Sequence, residues 1–253
     1  IEYANQVFTS SNITTLLRPW NSTYLTYTYR EMWAEYAKAT QSANLLLGET
    51  ASWWGRYYYS VRYAMTSTIR DEIFSSNVTG GNWAFRNHTY TAGTNNYMLP
   101  KINEYFVRNS VNANIGVGYI MVPLFTVEEV LFNKAEANNA LNNTGEAIAD
   151  MNSYASTRIT GYSSATHRIT ETKINNYYGT SDLQDGILQT ILDFKRAEFA
   201  QEGMRWFDIL RHKIVVTHRT SEGDEIELGE NDLRRVLQIP ESAKLSEVDQ
   251  NPR

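Results

Sequence analysis

Apolar side chains recur at helical spacing most clearly in the stretch 188–211. Leu188, Ile191, Leu192 and Phe199 mark one buried face. Glu198, Gln201 and Glu202 close that helix, and Gly203 stands where a left-handed C-terminal cap needs a residue without Cβ. Arg205, Asp208 and Arg211 follow at i, i+3, i+6, along one side of a short second helix, with Trp206, Phe207, Ile209 and Leu210 between the charges. The pattern predicts two helices pinned by a charge lattice threaded through aromatic side chains.

The same periodicity predicts a helix over 122–141, entered at Pro123, with Val127, Val130, Leu131 and Ala135 at packing positions. A turn at 142–145 leads to a second helix over 146–158. Two helices joined in this way resemble one tetratricopeptide-type unit, which cannot bury its own apolar face and must dock on the helix around Leu188 or on further chain. A helix is also expected over 29–47, from Met32, Trp33, Tyr36, Ala39, Ala43, Leu46 and Leu47. Residues 1–25 read as extended segments and loops, with an alternating, strand-like start. The polar runs 77–96 and 159–185 read as a loop or hairpin region and a surface crossing. Residues 215–230 look like a β-hairpin turning at 221–224.

Composition narrows the function more than the fold. Lys and Arg number 23 against 28 Asp and Glu, a net charge of −5 without any basic block, which argues against a nucleic-acid partner. Cysteine is absent, which excludes disulfides and thiolate metal sites. No apolar run is long enough to span a bilayer. His88, His167, His212 and His218 make no metal-binding spacing, and the Gly80-Gly81 and Gly116-x-Gly118 pairs lack the setting and lysine of a phosphate loop. Glu128-Glu129 is read as a solvent-facing helical pair rather than a calcium site. Glu198 and Glu202 are read as ion-pair partners of nearby arginines rather than a catalytic pair. The sequons at Asn12, Asn21, Asn77, Asn87 and Asn142 are chance products of an Asn-, Ser- and Thr-rich composition. No enzyme, no cofactor and no metal is expected.

Binding has a clearer basis. Tyrosine, at 17 residues, dominates a high aromatic content, and the densest supply lies in WWGRYYYSVRY, residues 53–63. Consecutive rings cannot all fit one buried face. Aromatic faces stack on the CH groups of sugars, while Asn and Arg engage hydroxyls. On residue type and loop context the candidate ligand contacts are Trp53, Trp54, Arg56, Tyr58, Trp83, Asn82 and Arg86, with Tyr57, Tyr59 and Asn87 beside them. A sugar binder should show a coplanar pair of exposed rings, and Trp53→Ala or Trp83→Ala should abolish affinity without lowering stability.

EFAQEGMRWFDILR also resembles the signature of the SusD/RagB family, through Glu198, Glu202, Gly203, Arg205, Trp206, Asp208 and Arg211; Phe194 and Lys195 depart from its usual Glu-Arg. Pro100-Lys101, Ala135-Glu136-Ala137, Met151-Asn152 and the tail residues Ile239, Pro240, Gln250, Asn251 and Pro252 extend the likeness in the correct order, while Thr126 stands where an Arg is usual. The resemblance implies a mainly α, SusD-like fold with a tetratricopeptide-type helical hairpin and a loop-rich, partly β-stranded remainder, read as one domain over 1–253. It covers the C-terminal half of the family fold, so that the chain is expected to be a piece of a longer protein or a short relative. It further implies a cell-surface protein of Bacteroidetes that captures an oligosaccharide and passes it to a SusC-like TonB-dependent transporter. Its place would be the extracellular face of the outer membrane, touched only through a lipid anchor missing from this chain. A RagB-type peptide binder and a helical-repeat adaptor without small ligand are the alternatives, and a glycoside hydrolase is disfavoured because no arginine-free carboxylate pair is visible.

Overall fold

The computed structural model describes residues 1–8, 13–52, 64–91, 96–220 and 222–252, with the side chains of residues 87, 88, 90 and 91 outside the description. These residues fall into two compact units, Ile1–Gln201 and Glu202–Arg253. Each is described by itself.

The helices of the first unit begin at side-chain caps that the sequence supplies. Helix α1 (Tyr29–Tyr36) starts with a capping box between Thr28 and Glu31. Helix α2 (Ser67–Phe74) is capped by Thr66. After strands β1 (Asn44–Ala51), β2 (Asn103–Arg108) and β3 (Gly116–Thr126), helix α3 (Val127–Ala140) is capped by Thr126, whose Oγ1 accepts from Glu129 N at 3.3 Å. Helix α4 (Thr144–Ser156) completes the hairpin. Helices α5 (Glu171–Tyr178) and α6 (Leu183–Glu198) are capped by Thr170 and Asp182.

The hairpin docks on α6, as its unpaired apolar face requires. Tyr154 lies 4.8 Å from Phe132 and 5.3 Å from Phe194 between ring centroids, and Phe132 lies 5.8 Å from Phe199. Asn139 and Gln184 lock the turn to the start of α6 by donating to each other's carbonyls at 2.9 and 2.8 Å. Helix α5 closes on α6 at Gly186, where an added Cβ would stand 2.5 Å from Ile174 Cγ2. Lys195, standing where the family motif has Arg, comes within 3.9 Å of Glu136.

At the centre lies a chain of fully buried charges. Arg18 Nη1 pairs with Glu128 Oε2 at 2.7 Å, Arg158 Nη2 with Glu128 Oε1 at 2.9 Å, and Arg158 Nε with Glu198 Oε2 at 2.7 Å, all at 0% side-chain exposure. Tyr154 OH donates to the same Glu198 oxygen at 2.8 Å. Arg18 also donates to Asn44 Oδ1, and Arg158 Nη1 to Arg18 O at 2.8 Å. Glu198 is therefore an ion-pair residue. Glu128 is the opposite of a solvent-facing one, because two arginines meet it inside the core.

The structure corrects several expectations. The start of the chain forms a helical turn at Ala4–Val7 and another at Ile13–Leu16. The expected helix over 29–47 ends at Tyr36, and Asn44 opens β1. Residues 122–126 belong to β3, because Pro123 lies beyond the last residue paired with β2, where one side of the strand is open and a missing N–H is tolerated. The polar run 159–185 holds α5 and a short helical turn at Ser164–His167. The three-stranded antiparallel sheet, in the order β1-β3-β2, was not expected as a sheet at all.

In the second unit, helix α7 (Arg205–Arg211) carries Asp208 and Arg211 3.5 Å apart; Gly203 has a positive φ of 80° but does not cap the preceding helix, which ends at Glu198 with Phe199 as its C-cap. Strands β4 (Val216–Arg219) and β5 (Glu225–Leu228) form the expected hairpin. Arg235 binds this unit together by donating to Ile209 O at 2.8 Å, Ile214 O at 2.6 Å and Gly229 O at 2.7 Å. Asn251 donates to Leu237 O at 2.7 Å and Gln250 to Ile239 O at 3.3 Å, which is the work of the tail motif.

Two outcomes follow from the charge chain. Arg158→Met leaves Glu128 and Glu198 buried without their shared partner and is expected to cost about 3–5 kcal/mol by urea unfolding. For Glu198, burial pushes the carboxyl up, and the adjacent Arg158 guanidinium outweighs it and holds the group below the usual carboxylate range. Its contribution is present above that range and is lost as pH falls through it toward the lower folded value. Unfolding measured from pH 7 down to pH 3 should show a steeper loss of stability for the wild type than for Glu198→Gln.

Candidate functional site

The sheet separates a core face from an outward one. On one face Ile120, 6% exposed, packs with Ile102 and Val122. On the other, strand alternation places Asn103 and Tyr105 of β2, Tyr119 and Met121 of β3, and Glu49 and Ala51 of β1. Tyr105 and Tyr119 are direct cross-strand partners, with ring centroids 5.9 Å apart and planes 19° from parallel. Both are half-buried. The next row of the ladder, Glu49–Met121–Asn103, puts a carboxylate and an amide on the same face. Near-parallel rings with hydrogen-bonding groups one row away suit a flat, hydroxylated ligand.

This face has a particular place in the chain. Ser52, directly after β1, donates from its N–H to Gly118 O at 2.9 Å, beside Tyr119, and the aromatic segment 53–63 begins at the next residue. The chain re-enters the described residues at 64, and Met65 exchanges two 2.8 Å backbone hydrogen bonds with Tyr97. The Arg70 guanidinium lies 3.9 Å above the Tyr97 ring. Asp71 holds both Arg70, at 2.8 Å, and Arg86, at 3.1 Å. Both anchor points of the tryptophan- and tyrosine-rich segment thus carry further rings and polar groups.

The candidate contacts distribute unevenly over this frame. Trp53, Trp54, Arg56, Tyr58, Tyr57 and Tyr59 lie outside the described residues, as does the side chain of Asn87. Asn82 and Arg86 are exposed. Trp83, between them, is only 2% exposed, with its ring against Phe85, Tyr154 and Phe194 at 5.7, 6.2 and 5.1 Å. It is a core residue: the segment pairs antiparallel with Ile159, which draws Trp83 inward while its neighbours stay outside. Tyr105, Tyr119, Tyr97 and Arg70 were not singled out from the sequence. The alternation Asn103-x-Tyr105-x-Val107 and Val117-x-Tyr119-x-Met121 carried the signal.

Two of the sequons have internal duties. Asn21 donates to Ser156 O at 2.8 Å and Ile159 O at 2.7 Å, and Asn77 donates to Gly81 O at 2.8 Å. Among the described residues no cluster of His, Cys, Asp or Glu is arranged to hold a metal, and no helix is long and apolar enough to cross a membrane.

The first unit thus combines a helical scaffold, a two-helix hairpin and a small sheet with an outward ring pair. The family model described as the SusD family matches residues 49–244, well over half of the chain, and the chain belongs to the SusD/RagB family. Its mainly α architecture with small sheets agrees. Members of this family are nutrient-binding proteins of the cell surface rather than enzymes. No curated protein matches the chain.

Because Trp83 fills the core, Trp83→Ala is expected to lower stability by about 3–5 kcal/mol in chemical denaturation. The exposed Asn82→Ala and Arg86→Ala should stay within about 0.5 kcal/mol of the wild type.

Proposed function

We propose that this chain captures an oligosaccharide at the outer face of the outer membrane, for import through a SusC-like TonB-dependent transporter. The observation that carries the reading is the near-parallel Tyr105–Tyr119 pair on the outward face of the sheet, at the point where the aromatic segment leaves β1. In this proposal the paired phenol rings supply a stacking surface, and Asn103 and Glu49 supply hydrogen bonds to hydroxyls. Trp53, Trp54, Arg56 and Tyr58 add contacts from the segment that follows, and Asn82 and Arg86 from the exposed turn. Trp83 supports the scaffold instead of touching ligand. The protein performs no chemistry on the glycan: it binds, releases and hands on. Attachment to the membrane through a lipid on a longer protein belongs to the same proposal, as family membership supports.

A titration with neutral oligosaccharides and with short peptides, read by intrinsic tryptophan fluorescence, tests it. A saturable change with one glycan class is expected, weakened about tenfold or more, equivalent to about 1.4 kcal/mol, in Tyr105→Ala combined with Tyr119→Ala. Binding of peptides alone, indifferent to both tyrosines, would replace the sugar reading by the peptide one. A folded chain that binds neither, and that pulls down a protein partner, would favour the adaptor.

A further inference from the structure

A recess lies among α2, α5 and α6. It has a volume of about 160 Å³. Its floor is closed from the core side by the buried Trp83 and Phe194, with the half-buried Ile73 beside them. Its mouth is polar and arranged in cross-element pairs. Arg196 of α6 meets Glu72 of α2 at 2.6 Å, Tyr178 OH of α5 donates to Asp193 of α6 at 2.9 Å, and Tyr177 OH of α5 meets Ser76 Oγ at 3.2 Å. Tyr177 is 43% exposed, so that part of its ring is open to solvent at the rim, and it stands edge-on to Tyr178 at 4.9 Å.

Size and charge restrict what this recess can take. Pockets for drug-sized ligands run to roughly 300–1,000 Å³, so this one admits a single small ring rather than a chain. The lining charges are Glu72, Asp193 and Arg196, a net of one negative charge, which disfavours an anionic occupant. The Glu72 and Asp193 carboxylates and the Arg196 guanidinium at the mouth can share hydrogen bonds with vicinal hydroxyls, and the open part of the Tyr177 ring at the rim matches a CH-rich face. Size, a slight negative charge and a polar mouth suit a neutral polyhydroxylated ring.

We infer that the recess among α2, α5 and α6 is a second carbohydrate subsite, one that accepts a single neutral pyranose unit and rejects uronic acids. The inference rests on the carbohydrate reading proposed above, and extends it to a site on the helical side of the unit. Tyr177 stacks on or edges the ring, while Asp193 and Arg196 hold adjacent hydroxyls. A terminal residue or side branch of a glycan would enter such a recess, whereas the open sheet face suits a run of sugars.

The test uses the whole 253-residue chain and ligand-observed saturation-transfer NMR with glucose, galactose, mannose and glucuronate. At least one neutral hexose is expected to give a saturable signal in the millimolar range, with glucuronate bound at least tenfold more weakly. Tyr177→Ala and Asp193→Asn, both at exposed positions that leave the core intact, should each weaken the hexose signal about tenfold. Absence of any hexose signal, equal binding of glucuronate, or a signal unaltered by both substitutions overturns the subsite. The oligosaccharide titration, compared between the wild type and the Tyr105→Ala, Tyr119→Ala double variant, reads the sheet face separately: if it succeeds while the hexose signal fails, only the subsite falls, and if it fails together with all hexoses, the carbohydrate reading falls as well.

Discussion

The fold of the larger unit depends on bringing four ionised side chains out of water at once. Arg18, Glu128, Arg158 and Glu198 come from the N-terminal segment, the first turn of α3, the end of α4 and the last turn of α6, and each is sealed from solvent. Desolvating one such ion alone costs several kcal/mol, so no member tolerates the interior until its neighbours are in place. The alternation of sign along the chain supplies the compensation. Arg158 is the joint, because it bonds Glu128 and Glu198 together and closes on the Arg18 carbonyl. This makes the arrangement all-or-none: the N-terminal segment, the hairpin and α6 are specified in one geometry rather than merely collapsed together.

The same logic explains why the motif residues are where they are. Lys101, 1% exposed, donates to the carbonyls of Glu198 and, at 3.3 Å, Ala200, so the Pro100-Lys101 element and the signature helix meet at one point. A cation on the final carbonyls is favoured by the helix dipole and satisfies acceptors that have no intrahelical donor. Leu99 N reaches Gln201 Oε1 at 2.9 Å and ties the same junction from the backbone side. Elements separated by about a hundred residues are joined by polar contacts made in a dry environment, where each is strong.

How much of this was legible in the sequence follows from the range of the forces involved. Helices α3, α4, α6 and α7 and the β4–β5 hairpin declare themselves through spacing, caps and turn residues, all of which act within a few positions. The sheet does not, because β1 pairs with β3 only across some seventy residues of chain, and Leu45 to Leu47 satisfy helical and strand spacing alike. Glu128 was misread for a related reason. A carboxylate on a helix faces water unless two arginines come to meet it, and Arg18 and Arg158 lie 110 and 30 positions away. Trp83 was misread because an aromatic in a Gly- and Asn-rich stretch looks exposed until its backbone is seen pairing with Ile159.

The residues that carry the family likeness and those of the proposed ligand sites are therefore different. The positions that carry the family likeness, Glu198, Lys101, Asp208, Gln250 and Asn251 among them, make intramolecular bonds and are constrained by burial or by a backbone partner. The outward sheet face and the recess around Tyr177 are constrained by neither. Tyr105 and Tyr119 need only preserve strand alternation, and Tyr177 and Asp193 only the surfaces of two capped helices. A scaffold fixed by an internal charge chain holds such surface positions steady without depending on which side chains they carry. This is why the signature identifies the class of protein at once, while the proposed ligand reading rests on ring geometry and charge at the surface.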